Sequence, residues 1–257
     1  MCKYRPMGAT SSIEWTEATW NPVTGCDRVS AGCDHCYALA LAKRLKAMGN
    51  PRYQTDGRDE TSGPGFGVTL HRDVIELPLS WKRPRVVFVN SMSDLFHPEV
   101  DEDFIAAVFD AMARCPHHTF QVLTKRPKRM AAVTRRVQPK PLPNVWLGTS
   151  VESEAVLGRV NALRRTPAAV RFLSLEPLLG PLPGLDLSDV DWVITGGESG
   201  IGARPIAPQW VADIRDLCLA NGVAFFHKQW GGRTPKAGGR AVDGRFWDEM
   251  PTPAVPA

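Results

Sequence analysis

Short apolar runs ending in polar residues recur along most of the chain, and helix-spaced stretches follow several of them. Six runs are clear: residues 86–90 (VVFVN), 120–124 (FQVLT), 145–149 (VWLGT), 170–174 (VRFLS), 192–196 (WVITG) and 224–228 (AFFHK). They lack the strict alternation of a half-exposed strand, which predicts parallel strands covered on both faces. Residues 68–74 are a weaker candidate, and residues 20–24 a candidate first strand. Between the runs, Phe104, Ile105, Val108, Phe109 and Met112 share a helical face behind Asp101 as N-cap. Val156, Val160 and Leu163 share another, as do Trp210, Val211, Ile214, Leu217 and Cys218 ahead of a Gly222 stop. Residues 37–48 (YALALAKRLKAM) predict a helix, while 50–67 and 177–190 predict loops.

Eight βα-like units predict an α/β chain forming a (β/α) barrel, complete or partial, with an N-terminal cysteine-cluster loop. An open doubly wound sheet is the alternative. The expected organisation is a flexible N-terminus over 1–12, one barrel-like domain over 13–232 and a C-terminal tail over 233–257.

At 257 residues the chain is long enough to bury a core without disulfide staples. Its formal net charge of +4 permits a nucleic-acid or phosphorylated partner without requiring one. No apolar run approaches a membrane span and residues 1–10 hold no apolar leader, so the expectation is a cytoplasmic protein with no membrane partner.

Both barrels and open parallel sheets place their sites at the carboxyl ends of strands. Here those ends carry Asn90 to Asp94, Lys125, Glu152, Ser174, Glu176, the run Gly196-Gly197-Glu198, and Lys228. One residue of this kind is ordinary loop polarity; together they outline a polar rim. No dinucleotide-type glycine loop, Walker-type Gly-Lys-Ser or Gly-x-Ser-x-Gly elbow is present, which removes the common nucleotide-hydrolysing and serine-hydrolase readings.

Cys26, Cys33 and Cys36 crowd one loop, with six and two residues between them. In a cytosolic chain such crowding points to metal. Two readings stay open: a structural zinc needing a fourth ligand, with His35, His71, His97, Cys115 and Cys218 as candidates, and a cubane iron–sulfur cluster held by three thiolates. Cys115 and Cys218 fall in apolar helical stretches, where cysteine is usually an inert small hydrophobe.

The cysteine loop, the aromatic Tyr37 after the third cysteine and the following βα units resemble the radical S-adenosylmethionine (radical SAM) superfamily. More closely, the phrases EWTEATWNPVTGC, GCDHCYA, VFVNSMSDLFH, LTKRP, LGTSVE, FLSLEPLLG, TGGESG and HKQWGG resemble an uncharacterised phage- and prophage-associated family described as radical-SAM-like. The superfamily usually has three residues between its first two cysteines; this chain has six. The resemblance implies a [4Fe-4S] cluster on Cys26, Cys33 and Cys36, with S-adenosylmethionine (SAM) on the fourth iron. It also implies an external electron donor and a 5′-deoxyadenosyl radical that takes hydrogen from a substrate. The cofactor-binding candidates are Glu152, Glu176, Gly196, Gly197, Glu198, Ser174, Lys125 and Lys228. The superfamily's Gly-Gly-Glu segment usually follows the second strand, whereas here it follows a late one. Phage association points to nucleic-acid modification or repair. The alternative is a zinc-stabilised nucleic-acid-binding protein without radical chemistry.

Overall fold

A computed structural model describes residues 11–234 and 236–252. Its centre is a seven-stranded parallel sheet in the order β1 (Ala18–Trp20), β4 (Val86–Val89), β5 (Thr119–Thr124), β6 (Val145–Ser150), β7 (Val170–Leu175), β8 (Trp192–Gly196) and β9 (Ala224–Gln229). Every neighbouring pair is parallel, and after β4 the spatial order follows the chain order. Strands β2 (Val23–Thr24) and β3 (Thr69–Leu70) form a separate antiparallel ribbon. The architecture is a partial (β/α) barrel.

The curl of the sheet is visible in its concave core. Trp15 packs edge-on against Phe88 of β4 at 4.7 Å and against Trp192 of β8 at 6.2 Å. Those strands are four positions apart, about 19 Å in a flat sheet at 4.8 Å per strand. One indole touches both only because the sheet bends around it. Trp146, Phe172 and Phe226 complete this inner cluster. A larger cluster lies on the convex face, beneath the helices.

The helices follow from local sequence. In α2 (Glu102–Ala113) the Asp101 carboxylate accepts the Phe104 amide at 2.7 Å, and the predicted apolar face is buried. α3 (Pro127–Val137) starts on a proline, whose missing amide no helix start needs. α4 (Gly158–Arg164) and α5 (Pro208–Asn221) cover later strands, and α5 ends where Gly222 turns left-handed at φ 66°. α1 (Tyr37–Ala47) follows the cysteine loop directly. Cys115 and Cys218 are fully buried in the convex core, as small hydrophobes.

Three expectations are corrected. The first sheet strand is Ala18–Trp20, not 20–24, because Asn21-Pro22 interrupts it and proline cannot donate to a ladder. The candidate at 68–74 contributes only β3 to the side ribbon. Its Arg72–Val74 portion is a 3-10 turn fastened by the Trp20 Nε1–H to the Val74 carbonyl. Seven strands, not eight, therefore form the main sheet.

The segment after 232, read as a tail, also packs in its described part. Trp247 and Val242 are buried, the Trp247 carbonyl accepts the His227 amide, and the Glu249 carbonyl accepts the Trp192 indole N–H. The N-terminal expectation over 1–12 lies almost wholly outside the described residues. No helix among those residues is long and apolar enough to cross a membrane.

Candidate metal and cofactor site

The three cysteines sit at different local features of one loop. Cys26 follows the β2 strand, Cys33 closes a 3-10 turn (Ala31–Cys33), and Cys36 is the N-cap of α1. All three line one cavity of about 780 Å³ at the carboxyl ends of the strands. That volume lies in the ordinary range for small-molecule sites.

Four buried or half-buried anchors hold this loop in shape. The Asp27 carboxylate accepts from Thr61 Oγ1 at 2.5 Å and Ser62 Oγ at 3.1 Å, and meets His97 Nε2 at 3.0 Å. Burial opposes its charge, but these partners hold the carboxyl below its usual range. Thr61 and Ser62 belong to the long 50–67 loop, which is thus tied to the cysteine loop rather than free. Arg159 Nη2 donates to Ser30 Oγ at 2.8 Å while its Nη1 pairs with Glu152 at 2.9 Å. Glu152 Oε1 accepts the Gly32 amide at 3.3 Å. A Cβ on Gly32 would lie 2.9 Å from the Glu152 carboxyl carbon, so the glycine in the six-residue spacer permits this approach.

The fourth anchor is Glu198. Its carboxylate meets His35 Nδ1 at 2.7 Å and accepts from Arg204 Nη2 at 2.5 Å. The same Arg204 nitrogen donates to the Ala31 carbonyl at 2.9 Å. Burial raises the Glu198 pKa, but the hydrogen bonds from Arg204 and then His35 outweigh it and hold it down to about 2.

The other half of the cavity has unspent polar groups. Glu176, at the end of β7, accepts a long hydrogen bond from Ser174 Oγ at 3.4 Å on Oε2. Its Oε1 is buried without a hydrogen bond, with Lys228 Nζ at 3.5 Å. A Cβ on Gly196 would lie 2.5 Å from that same oxygen, so glycine leaves the carboxylate its place. Asn90, at the end of β4, is 3% exposed, and neither its amide oxygen nor its nitrogen has a partner among the described residues. Its backbone is left-handed at φ 66°, uncommon outside glycine but tolerated by asparagine. Buried unpaired polar groups cost stability, so several facing one cavity point to a polar ligand.

The placement of the sequence candidates is therefore divided. Cys26, Cys33, Cys36, Lys125, Ser174, Glu176, Gly197, Glu198 and Lys228 line the cavity. Glu152 is fully buried behind the loop and Gly196 stands behind Glu176, neither in the lining. Sequence reasoning had Asn90 only as a strand-end residue. Its signal was a polar residue closing an apolar strand, shared with every other strand end.

Among the described residues, no three His, Cys, Asp or Glu side chains converge closely enough to hold a single metal ion. His35, His71 and His97 are engaged elsewhere, by Glu198, Thr24 and Asp27. The donor set, three thiols facing one cavity, fits a cubane in its chemistry. Burial pushes the Cys26 thiol up to about 12, with Asp94 adding and Arg126 opposing; bound iron would reverse that preference.

No curated protein matches the chain in sequence. Among solved structures it is similar to spore photoproduct lyase complexed with dinucleoside spore photoproduct, with TM-score 0.48, 13% identity, and 76% of this chain and 60% of that chain covered. It is also similar to a double-mutant form of that enzyme with bound AdoMet and dinucleoside spore photoproduct, with TM-score 0.48, 12% identity, and 75% and 59% covered. The chain thus spans about three fifths of the length of those proteins. A family model described as "Protein of unknown function (DUF5131)" matches residues 10–251, and the chain belongs to that family.

Proposed function

We propose that this protein is a radical SAM-type iron–sulfur enzyme that acts on a nucleic-acid or nucleotide substrate, with an external one-electron donor. The observation that carries the reading is the cavity itself. Three thiols line it, and so do one Glu176 carboxylate oxygen and the Asn90 amide, both buried without a hydrogen bond among the described residues.

In this reading Cys26, Cys33 and Cys36 hold a [4Fe-4S] cluster. The chemistry supplied by a bound cluster is one-electron cleavage of the sulfonium carbon–sulfur bond of SAM, which yields a 5′-deoxyadenosyl radical. The chain's own groups bind and orient. Glu176 Oε1 accepts from the ammonium or a ribose hydroxyl. Asn90, elsewhere in the same lining, offers its amide as donor and acceptor. Lys228, held by Glu176, and Lys125 face the SAM carboxylate or a substrate anion. Glu152 and Glu198 keep the loop in register and have no free oxygen for the ligand.

The nucleic-acid part rests on charge. Arg28, Lys125 and Lys236 line the cavity and pair with no carboxylate among the described residues. Cations of this kind contact phosphate.

The test is purification without oxygen, followed by iron, sulfide and absorption measurements. The expected result is brown protein with about four irons and matching sulfide, and loss of both when Cys26, Cys33 and Cys36 are replaced by alanine. SAM cleavage is then assayed after reduction. Colourless protein with one tight zinc would replace this reading with a zinc-stabilised nucleic-acid-binding protein.

A further inference from the structure

Arg126 follows Lys125 at the end of β5 and is the N-cap of α3, yet its side chain turns inward. Nη1 donates to Asp94 Oδ2 at 2.9 Å and lies 3.3 Å from Cys26 Sγ. Nη2 donates to the Asp27 carbonyl at 3.1 Å. The side chain is 12% exposed and that of Asp94 6%.

Asp94 is itself fixed. Its Oδ1 accepts from Thr124 Oγ1 at 2.7 Å and from the Phe96 amide at 3.0 Å, and its Oδ2 also meets the Lys125 amide at 3.2 Å. A carboxylate with this many donors cannot swing, so it aims the guanidinium. A guanidinium commonly lays two parallel N–H bonds on a carboxylate. Here the fork is divided instead, between carboxylate, carbonyl and sulfur. None of these contacts is needed to seat SAM on the Glu176 side.

We propose that Arg126 sets the reduction potential of the cluster by donating a hydrogen bond to the Cys26 sulfur, with Asp94 as the residue that aims it. This rests on the iron–sulfur reading above. Reduction adds one electron to a centre already carrying three thiolates. A hydrogen-bond donor on one of those sulfurs stabilises the extra negative charge, and hydrogen bonds to sulfur are among the determinants of cluster potential. Asp94 partly cancels the distant field of the arginine, so the contact to sulfur carries most of the effect. A lysine at 126 keeps the charge but not the planar fork that spans three partners.

The experiment uses the full chain, reconstituted without oxygen, as wild type, Arg126→Met, Arg126→Lys and Asp94→Asn. Iron and sulfide are counted, the cluster is titrated with dithionite under electron paramagnetic resonance, and iron–sulfur stretches are recorded by resonance Raman. The expected result is full iron loading in the Arg126→Met protein with a lower reduction potential and a cysteinyl iron–sulfur stretch at higher frequency. Arg126→Lys should fall between it and wild type, and Asp94→Asn should move the iron–sulfur stretch toward that of Arg126→Met, the mark of a guanidinium no longer aimed at sulfur. An unchanged potential and spectrum at full loading would overturn the proposal and leave the cluster reading intact. Loss of iron from both Arg126 variants would also overturn it, making Arg126 a support of the loop. Wild-type protein that loads no cluster would overturn both readings.

Discussion

Glu152 and Glu198 on the one hand, and Glu176 and Asn90 on the other, are all polar residues at the carboxyl ends of strands of one sheet, yet they live in opposite conditions. Glu152 and Glu198 are saturated. Each faces an arginine, and each is tied to the cysteine loop, through the Gly32 amide and through His35. Glu176 and Asn90 keep buried oxygen or nitrogen atoms with no partner. The difference teaches that the Gly-Gly-Glu phrase does not fix a role. The carboxylate with an oxygen to spare belongs to the less conspicuous Ser-Leu-Glu-Pro run, and Gly196, the first glycine of the Gly-Gly-Glu phrase, serves it by making room.

The strongest way to break this contrast is at Arg159. Arg159→Met leaves Glu152 charged, buried and unpaired and frees Ser30. We expect a loss of about 3–5 kcal/mol in urea unfolding. A loss under about 1 kcal/mol would show that the pair does not hold the loop.

Next come the two residues assigned to the ligand. Glu176→Gln should weaken SAM binding to reconstituted protein by about 10- to 150-fold, the worth of one charge-assisted hydrogen bond. Asn90→Ala should weaken it by about 3- to 10-fold, since its bonds are neutral. Both proteins should keep full iron loading, and Glu176→Gln should keep the wild-type unfolding midpoint. Equilibrium binding with labelled SAM checks this, and wild-type affinity in Glu176→Gln would remove that residue from the ligand wall.

Glu198→Gln tests the other half. It should lower iron retention about 2- to 10-fold after gel filtration, through loss of an ion pair worth about 0.5–1.5 kcal/mol at this half-exposed edge. SAM affinity per loaded cluster should stay within about 2-fold of wild type. Full iron with abolished SAM binding would reverse the roles assigned to the two glutamates.

The smallest effect is in pH. The Glu198 carboxyl is depressed in the folded chain from 4.5 to about 2. A depressed acid contributes stability that is complete above about pH 4.5 and is lost as pH falls toward 2. The slope is at most about 1.4 kcal/mol per pH unit for one proton. Urea unfolding between pH 5 and 2.5 should therefore fall less steeply in Glu198→Gln than in wild type. Parallel slopes would mean that Glu198 gains nothing from its partners.

Much of the frame was legible in the residues. The six clear strands, the Asp101 cap, the Gly222 stop and the loop over 177–190 follow from local rules that act within a few residues: apolar runs, side-chain caps and left-handed glycine. The first strand and the 68–74 segment were misread because both are short. Tertiary partners decide such segments, here the neighbouring strand β4 for one and the Trp20 indole for the other. The packing of residues 241–250 was hidden for a related reason. No apolar run there is longer than two residues, and Trp247 finds its place only against a sheet edge formed far away in sequence.

For the site, the sequence alone determined which chemical groups exist and at which strand ends they stand, because strand direction and alternation are local. It placed three thiols in one loop. It did not determine which carboxylates remain free. That depends on how near a cation comes, Arg159 and Arg204 within 2.9 Å but Lys228 only at 3.5 Å, and on how closely Gly32 and Gly196 let the backbone approach. Those pairings join residues up to 120 positions apart. Only the folded chain brings them within hydrogen-bond reach, and only there does desolvation make an unpaired polar atom costly enough to signal a ligand.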